Sequence, residues 1–132
     1  MMDEGLEGRG PAFRHERLDV WDAAVELAMV VYRVTQSFPS VERFALTNQL
    51  RRCSVSVSSN IAEGNGRTSP RDKIRFFEIA YGSLMEVVSQ IEVAVRLTCI
   101  SREDSASIRR SASRIARQLS GLRPAVKRSP RP

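Results

Sequence analysis

Apolar residues recur at helical spacing along four stretches of this chain. The most regular runs are Leu46, Leu50, Cys53, Val57 and Ile61, and then Ile74, Phe77, Tyr81, Leu84, Val88, Ile91 and Val95. Both step by three or four residues, the signature of one buried helical face. The second run alternates three and four throughout, as a coiled-coil seam does. Beside it lies a further stripe of Phe76, Ala80, Ser83, Val87, Ala94 and Leu97. A helix apolar over so wide an arc touches more than one neighbour. Upstream, Trp21, Ala24, Val25, Ala28, Val31, Tyr32, Thr35 and Phe38 form another such face. Downstream, Ile108, Ala112, Ile115, Leu119 and Leu122 form the fourth.

Turn and cap residues punctuate these faces. Asp19 is the expected N-cap of the first helix, and Pro39 ends it. Ser40 is the expected cap of the second helix. Gly64 reads as the left-handed residue that closes it, followed by an Asn65-Gly66 turn. Ser69 caps the third helix, with Pro70 at its first position and Asp72 in its first turn. Gly82 weakens that helix by about 1 kcal/mol relative to alanine, which suggests a close neighbour. Ser101 caps the fourth helix, and Gly121 with Pro124 ends it. The alternating Ser54–Ser59 segment is β-prone, yet the 46–61 seam runs through it at helical spacing and assigns it to helix. These elements predict an all-α protein, an antiparallel up-down-up-down four-helix bundle with helices over about 19–38, 41–63, 70–99 and 102–122. Residues 1–17 read as a flexible segment and 123–132 as a basic flexible tail.

Composition sharpens this picture. The 132 residues are 42% hydrophobic and 27% charged, in keeping with a single soluble domain. No apolar run approaches the ~20 residues of a membrane span. With no apolar leader and two cysteines placed inside helical patterns, Cys53 and Cys99, the chain reads as a cytoplasmic protein with reduced thiols. The net charge of +6 is unevenly placed. From Ser105 onward there are eight basic residues and no acidic one, so the rest of the chain is net acidic. Such a basic end suits a polyanion partner, RNA, DNA or an acidic protein surface. The competing reading is a solvated helix face with a basic tail.

Several residues carry a more specific pattern: Phe38-Pro39 with Glu42, Gln49-Leu50-Arg51-Arg52, Ser59-Asn60-Ile61-Ala62-Glu63-Gly64, Gly66-Arg67, and Ala80 with Gly82-Ser83. Through these, residues 18–97 closely resemble the small four-helix-bundle proteins encoded by intervening sequences in bacterial 23S ribosomal RNA genes. One position departs: the family usually has a proline where this chain has Ser58. The resemblance implies an antiparallel bundle that assembles as a homo-oligomer, typically a pentamer. At the level of fold alone, it extends to the accessory variability protein of diversity-generating retroelements, a basic pentamer that binds nucleic acid and a reverse transcriptase.

No catalytic constellation can be assembled. The one histidine, His15, lies in the N-terminal segment, and no Glu-x-x-His pair of the di-iron type occurs. No metal or cofactor is expected, and the chain reads as a non-enzyme. The candidate nucleic-acid-binding residues are Arg109, Arg110, Arg114 and Arg117, opposite the apolar face of helix four, then Arg123, Lys127 and Arg128. Arg51, Arg52 and Arg67 come second. Arg67, Arg71 and Lys73 flank a helix start that could hold a phosphate, although a plain helix cap is the simpler reading. Asn60, Glu63, Gly64, Gly66 and Ser69 are expected to set the corner between helices two and three, with Asn60 and Glu63 bonding to the turn backbone or a neighbouring helix. Trp21, Tyr32 and Phe76 are candidate oligomer-interface residues. The reading that follows is a non-enzymatic, homo-oligomeric nucleic-acid-binding accessory protein. The alternative is a protein–protein scaffold for a partner encoded nearby.

Overall fold

Four helices follow one another with short connections: α1 (Asp19–Thr35), α2 (Asn48–Gly66), α3 (Pro70–Arg96) and α4 (Arg102–Arg128). The structure is a computed structural model and describes residues 8–128. Among the described residues there is no strand. Each helix packs on its chain neighbours, and α4 returns to α1, closing an antiparallel square. The core is Leu27 and Val31 of α1, Leu50, Val57 and Ile61 of α2, Phe77, Leu84, Val87 and Ile91 of α3, and Ile108, Ile115 and Leu119 of α4. Both apolar stripes of α3 are buried at Leu84 and Val87, which is why this helix meets neighbours on two sides.

The Ser54–Ser59 segment is helical despite its composition. Ser54 Oγ donates to the Arg51 carbonyl at 2.9 Å, and Ser58 Oγ to the Val55 carbonyl at 3.0 Å. These hydroxyls are satisfied within the helix instead of competing with it. With serine at position 58, α2 runs unbroken from Asn48 to Gly66.

The helix ends depart from expectation in instructive ways. Asp19 is the first residue of α1 and not its cap. Leu18 holds that position without a side-chain bond, because a 3₁₀ turn over Arg14–Arg17 runs directly into the helix. That turn also gives residues 13–17 a defined backbone: Phe13 N donates to Glu16 Oε1 at 2.6 Å, and Arg9 pairs with Glu16 at 3.1 Å. The His15 ring meets Trp21 edge-on at 5.0 Å. At the other end α1 stops at Thr35, whose hydroxyl turns back to the Val31 carbonyl at 2.7 Å. Phe38 then enters the core from outside the helix.

Ser40 does not cap α2. The segment winds instead as a 3₁₀ turn (Ser40–Glu42) and a π turn (Arg43–Thr47) before α2 begins. The wider π turn brings the consecutive residues Leu46 and Thr47 both inward. Gly64 is not a left-handed terminator. It lies inside α2, buried against α3. Among the described residues, the non-glycine residue in the left-handed region is Thr98, with φ 59°, just past α3. There Cys99 N donates to the Ala94 carbonyl at 2.8 Å and Thr98 N to the Val95 carbonyl at 2.9 Å, the bond pair of a Schellman motif. Ser69 and Ser101 do cap as expected, accepting from Asp72 N at 3.3 Å and Asp104 N at 3.0 Å. Finally, α4 continues beyond Gly121 and Pro124 to Arg128. Proline costs a helix interior about 3 kcal/mol, but Leu122 and Val126 on either side of it pack against the core and hold the backbone helical.

Candidate nucleic-acid interface

Helix α4 buries Ile108, Ala112, Ile115 and Leu119. At 100° per residue this places Arg110, Arg114 and Arg117 on the outer side, with Arg109 on one flank. All four are exposed. The acidic residues of this helix, Glu103 and Asp104, sit in its first turn, where they complement the positive end of the helix. Arg117 Nη1 donates to Ser113 Oγ at 3.0 Å, one turn back, which lays its guanidinium along the surface.

The remaining basic candidates divide by what they already hold. Arg123 pairs with Glu78 of α3, so its charge is neutralised across the α3–α4 seam. Arg114 lines a cleft of about 450 Å³ together with Asp19, Asp22 and Glu26 of α1. The stretch of α4 least opposed by carboxylates is therefore Arg109, Arg110 and Arg117. Lys127 and Arg128 continue the helix, but their side chains lie outside the described residues. Arg51 is committed to the bundle: its Nε donates to Thr35 Oγ1 at 2.9 Å and its guanidinium lies 4.8 Å from the Tyr32 ring. Arg67 pairs with Glu63 at 2.6 Å and covers the Phe76 ring at 4.6 Å. Arg52 and Arg71 are exposed.

The corner residues form a network along the α2–α3 seam. Asn60 Nδ2 donates to the Ser56 carbonyl at 2.9 Å and to Ser56 Oγ at 3.0 Å. Ser56 Oγ and Ser83 Oγ of α3 are 2.8 Å apart, so the polar chain crosses between helices. Asn60 thus reaches its neighbour helix through Ser56, and Glu63 bonds the Arg67 side chain instead of the turn backbone. Gly66 ends α2, and Lys73 Nζ donates to the Asn65 carbonyl at 3.0 Å, tying α3 back onto the turn.

Of the interface candidates, Trp21 is half-buried against the core, while Tyr32 and Phe76 each lie under an arginine. Farther along the α2–α3 seam, the Cys53 thiol donates to Glu86 Oε2 at 3.3 Å and accepts from Gln90 Nε2 at 3.5 Å. Burial, and then the Glu86 carboxylate, push this thiol above its ordinary range. It is a protonated, weakly reactive group. Burial and Glu42 push Cys99 in the same direction. Among the described residues no three metal-ligating side chains cluster, and no helix is long and apolar enough to cross a membrane.

The fold and its surface define a class: short antiparallel four-helix bundles with one arginine-lined outer helix. Within that class, the chain belongs to the 23S rRNA-intervening sequence protein family, whose model matches residues 16–121. A solved structure similar to it is a protein of unknown function from the S23 ribosomal protein family of Bacteroides thetaiotaomicron VPI-5482, at 1.70 Å resolution. It is 25% identical, with a TM-score of 0.71 over 78% of this chain and 96% of that one. No curated protein matches the chain.

Proposed function

We propose that this chain is a non-enzymatic, homo-oligomeric accessory protein of the cytoplasm, a pentamer, that binds RNA through the outer face of α4. The observation that carries this reading is the exposed row of Arg109, Arg110, Arg114 and Arg117 on a helix with no acidic residue beyond its first turn. Binding of this kind is made chiefly to phosphates, so it is weakly sequence-specific and steeply salt-dependent. Assembly of several copies would repeat the row and raise its avidity. Ile79 and Val93 support self-association: they fall on one side of α3 and are 42% and 45% exposed in the single chain.

Solution mass by light scattering, read together with the 260/280 absorbance ratio of protein purified at low salt, tests both halves. A pentamer with co-purifying nucleic acid is the expected result. A monomer with the absorbance of pure protein, and no shift of labelled structured RNA, would overturn it. A stoichiometric protein partner retained after nuclease treatment would favour the scaffold reading instead.

A further inference from the structure

The end of the bundle where α1 and α3 begin and α2 and α4 finish carries a cavity of about 520 Å³. That volume falls in the ~300–1,000 Å³ range of small-ligand clefts. Its walls come from four separate parts of the chain. Phe13, Arg14 and His15 belong to the N-terminal turn, Arg67 to the α2–α3 corner, Lys73 to α3 and Val126 to α4. Among the described residues, no aspartate or glutamate lines it. The positive charge here is therefore gathered by folding from distant positions and is separate from the outer row of α4.

Lys73 is partly buried, and its bond to the Asn65 carbonyl holds it at the cavity wall. Burial and then repulsion from Arg14 push its amine below the ordinary value of 10.5. Two cations facing one cavity with no carboxylate among its described lining residues form an arrangement that an anion relieves. Arg67 is already held by Glu63 and Phe76, so its charge is neutralised and it is not a free ligand. Phe13 supplies a different feature. The residue is 69% exposed at the cavity edge. Cations that follow the backbone, with an aromatic face on which a base stacks, are what single-stranded nucleic acid binding requires.

We infer that this cavity seats a phosphate of a single-stranded nucleic acid, with Arg14 and Lys73 as its cationic ligands and Phe13 as the stacking platform for the adjoining base. The inference rests on the nucleic-acid reading above for its class of ligand, but on different residues.

The test is fluorescence anisotropy of the full chain with a labelled single-stranded octaribonucleotide and with a labelled hairpin duplex. The variants are Phe13→Ala, Arg14→Ala and Lys73→Gln, with Arg110→Ala as the outer-face control. Phe13 and Arg14 are exposed, and glutamine at 73 keeps a donor for the Asn65 carbonyl, so the fold is preserved. Arg14→Ala and Lys73→Gln are each expected to weaken single-strand binding by about tenfold. Phe13→Ala is expected to weaken it by about tenfold while leaving duplex binding unchanged. Single-strand binding that survives all three substitutions overturns the cavity and leaves the proposed function standing.

A parallel NMR titration with adenosine 5′-monophosphate separates the two readings. Shifts at Arg14 and Lys73 in a protein with no affinity for structured RNA would sustain the cavity and overturn the outer-face reading. No shifts, with no single-strand binding, would overturn the cavity. Octaribonucleotides with a 5′-phosphate or a 5′-hydroxyl identify the source of the phosphate. Tighter binding of the former marks a terminal phosphomonoester, and equal binding marks an internal phosphodiester; either supports the inference.

Discussion

Gly64 lies inside α2 directly against the ring of Phe77 in α3: a methyl group at position 64 would sit 2.8 Å from Phe77 Cε1 and 3.1 Å from Phe76 Cβ. Phe77 is buried, and its ring would have to shift to admit that methyl group. The glycine is there to let two helices approach and not to turn the chain. Gly64→Ala is expected to destabilise the protein by about 1–3 kcal/mol through overpacking, in spite of alanine's better helix propensity. Gly82→Ala and Gly121→Ala face open space and lie within helices. Each is expected to stabilise by about 0.5–1 kcal/mol. Urea midpoints at constant m-value distinguish the opposite signs.

Thr98 occupies the left-handed position after α3, a conformation that strains a β-branched side chain. Thr98→Gly keeps the two backbone bonds of the motif and removes that strain. The expected gain is about 1 kcal/mol after the greater freedom of glycine in the unfolded chain is discounted. A thermal midpoint that falls would mean that the Thr98 side chain holds the loop in some other way.

The Cys53–Glu86 contact makes a prediction about pH. The thiol is raised above its ordinary value of 9.0, first by burial and then by Glu86. The folded state therefore keeps the proton longer than the unfolded chain does. The resulting stability is present in full below 9.0 and is lost as the pH rises through the folded value. Glu86→Gln removes the negative charge and lowers the thiol's pKa. Alkylation of Cys53 by iodoacetamide at pH 9.0 is expected to be faster in that variant, and the alkaline loss of stability smaller. An unchanged rate would show that burial alone sets the thiol.

The Ser69 cap is local and readily isolated. Its hydroxyl accepts from Asp72 N, and Ser69→Ala is expected to cost about 1 kcal/mol. Ser69→Gly should cost only a few tenths. Chemical denaturation of the pair measures both.

The four helices were legible because their core faces repeat at 3.6-residue spacing, strongly enough at Leu46, Leu50, Val57 and Ile61 to override the β-like pattern of Ser54–Ser59. Their ends were less legible, because local rules compete with packing. Gly64 carries the signature of a terminator, yet its lack of a side chain serves the contact with Phe77. Thr98 carries no such signature, yet it takes the left-handed position. Pro124 should stop α4, and the packing of Leu122 and Val126 on the core carries the helix past it. The arginine row of α4 could be read from its spacing alone. Its partners could not: Arg123 meets Glu78 from 45 residues away, and Arg114 faces acidic residues from the start of α1. Arg14 joins Lys73 at a cavity wall only once the chain has folded.

The claim that α4 presents a phosphate-binding face is tested most directly by the salt dependence of RNA binding. Anisotropy titrations with a structured RNA at a series of salt concentrations give the slope of log K against log salt. Wild-type protein is expected to bind at low salt with a steep negative slope. The Arg110→Ala, Arg114→Ala, Arg117→Ala triple variant is expected to bind more weakly, with a slope shallower by about 1 for each phosphate that an arginine no longer neutralises. Absence of binding at low salt, or a triple variant with unchanged affinity and slope, would contradict the account.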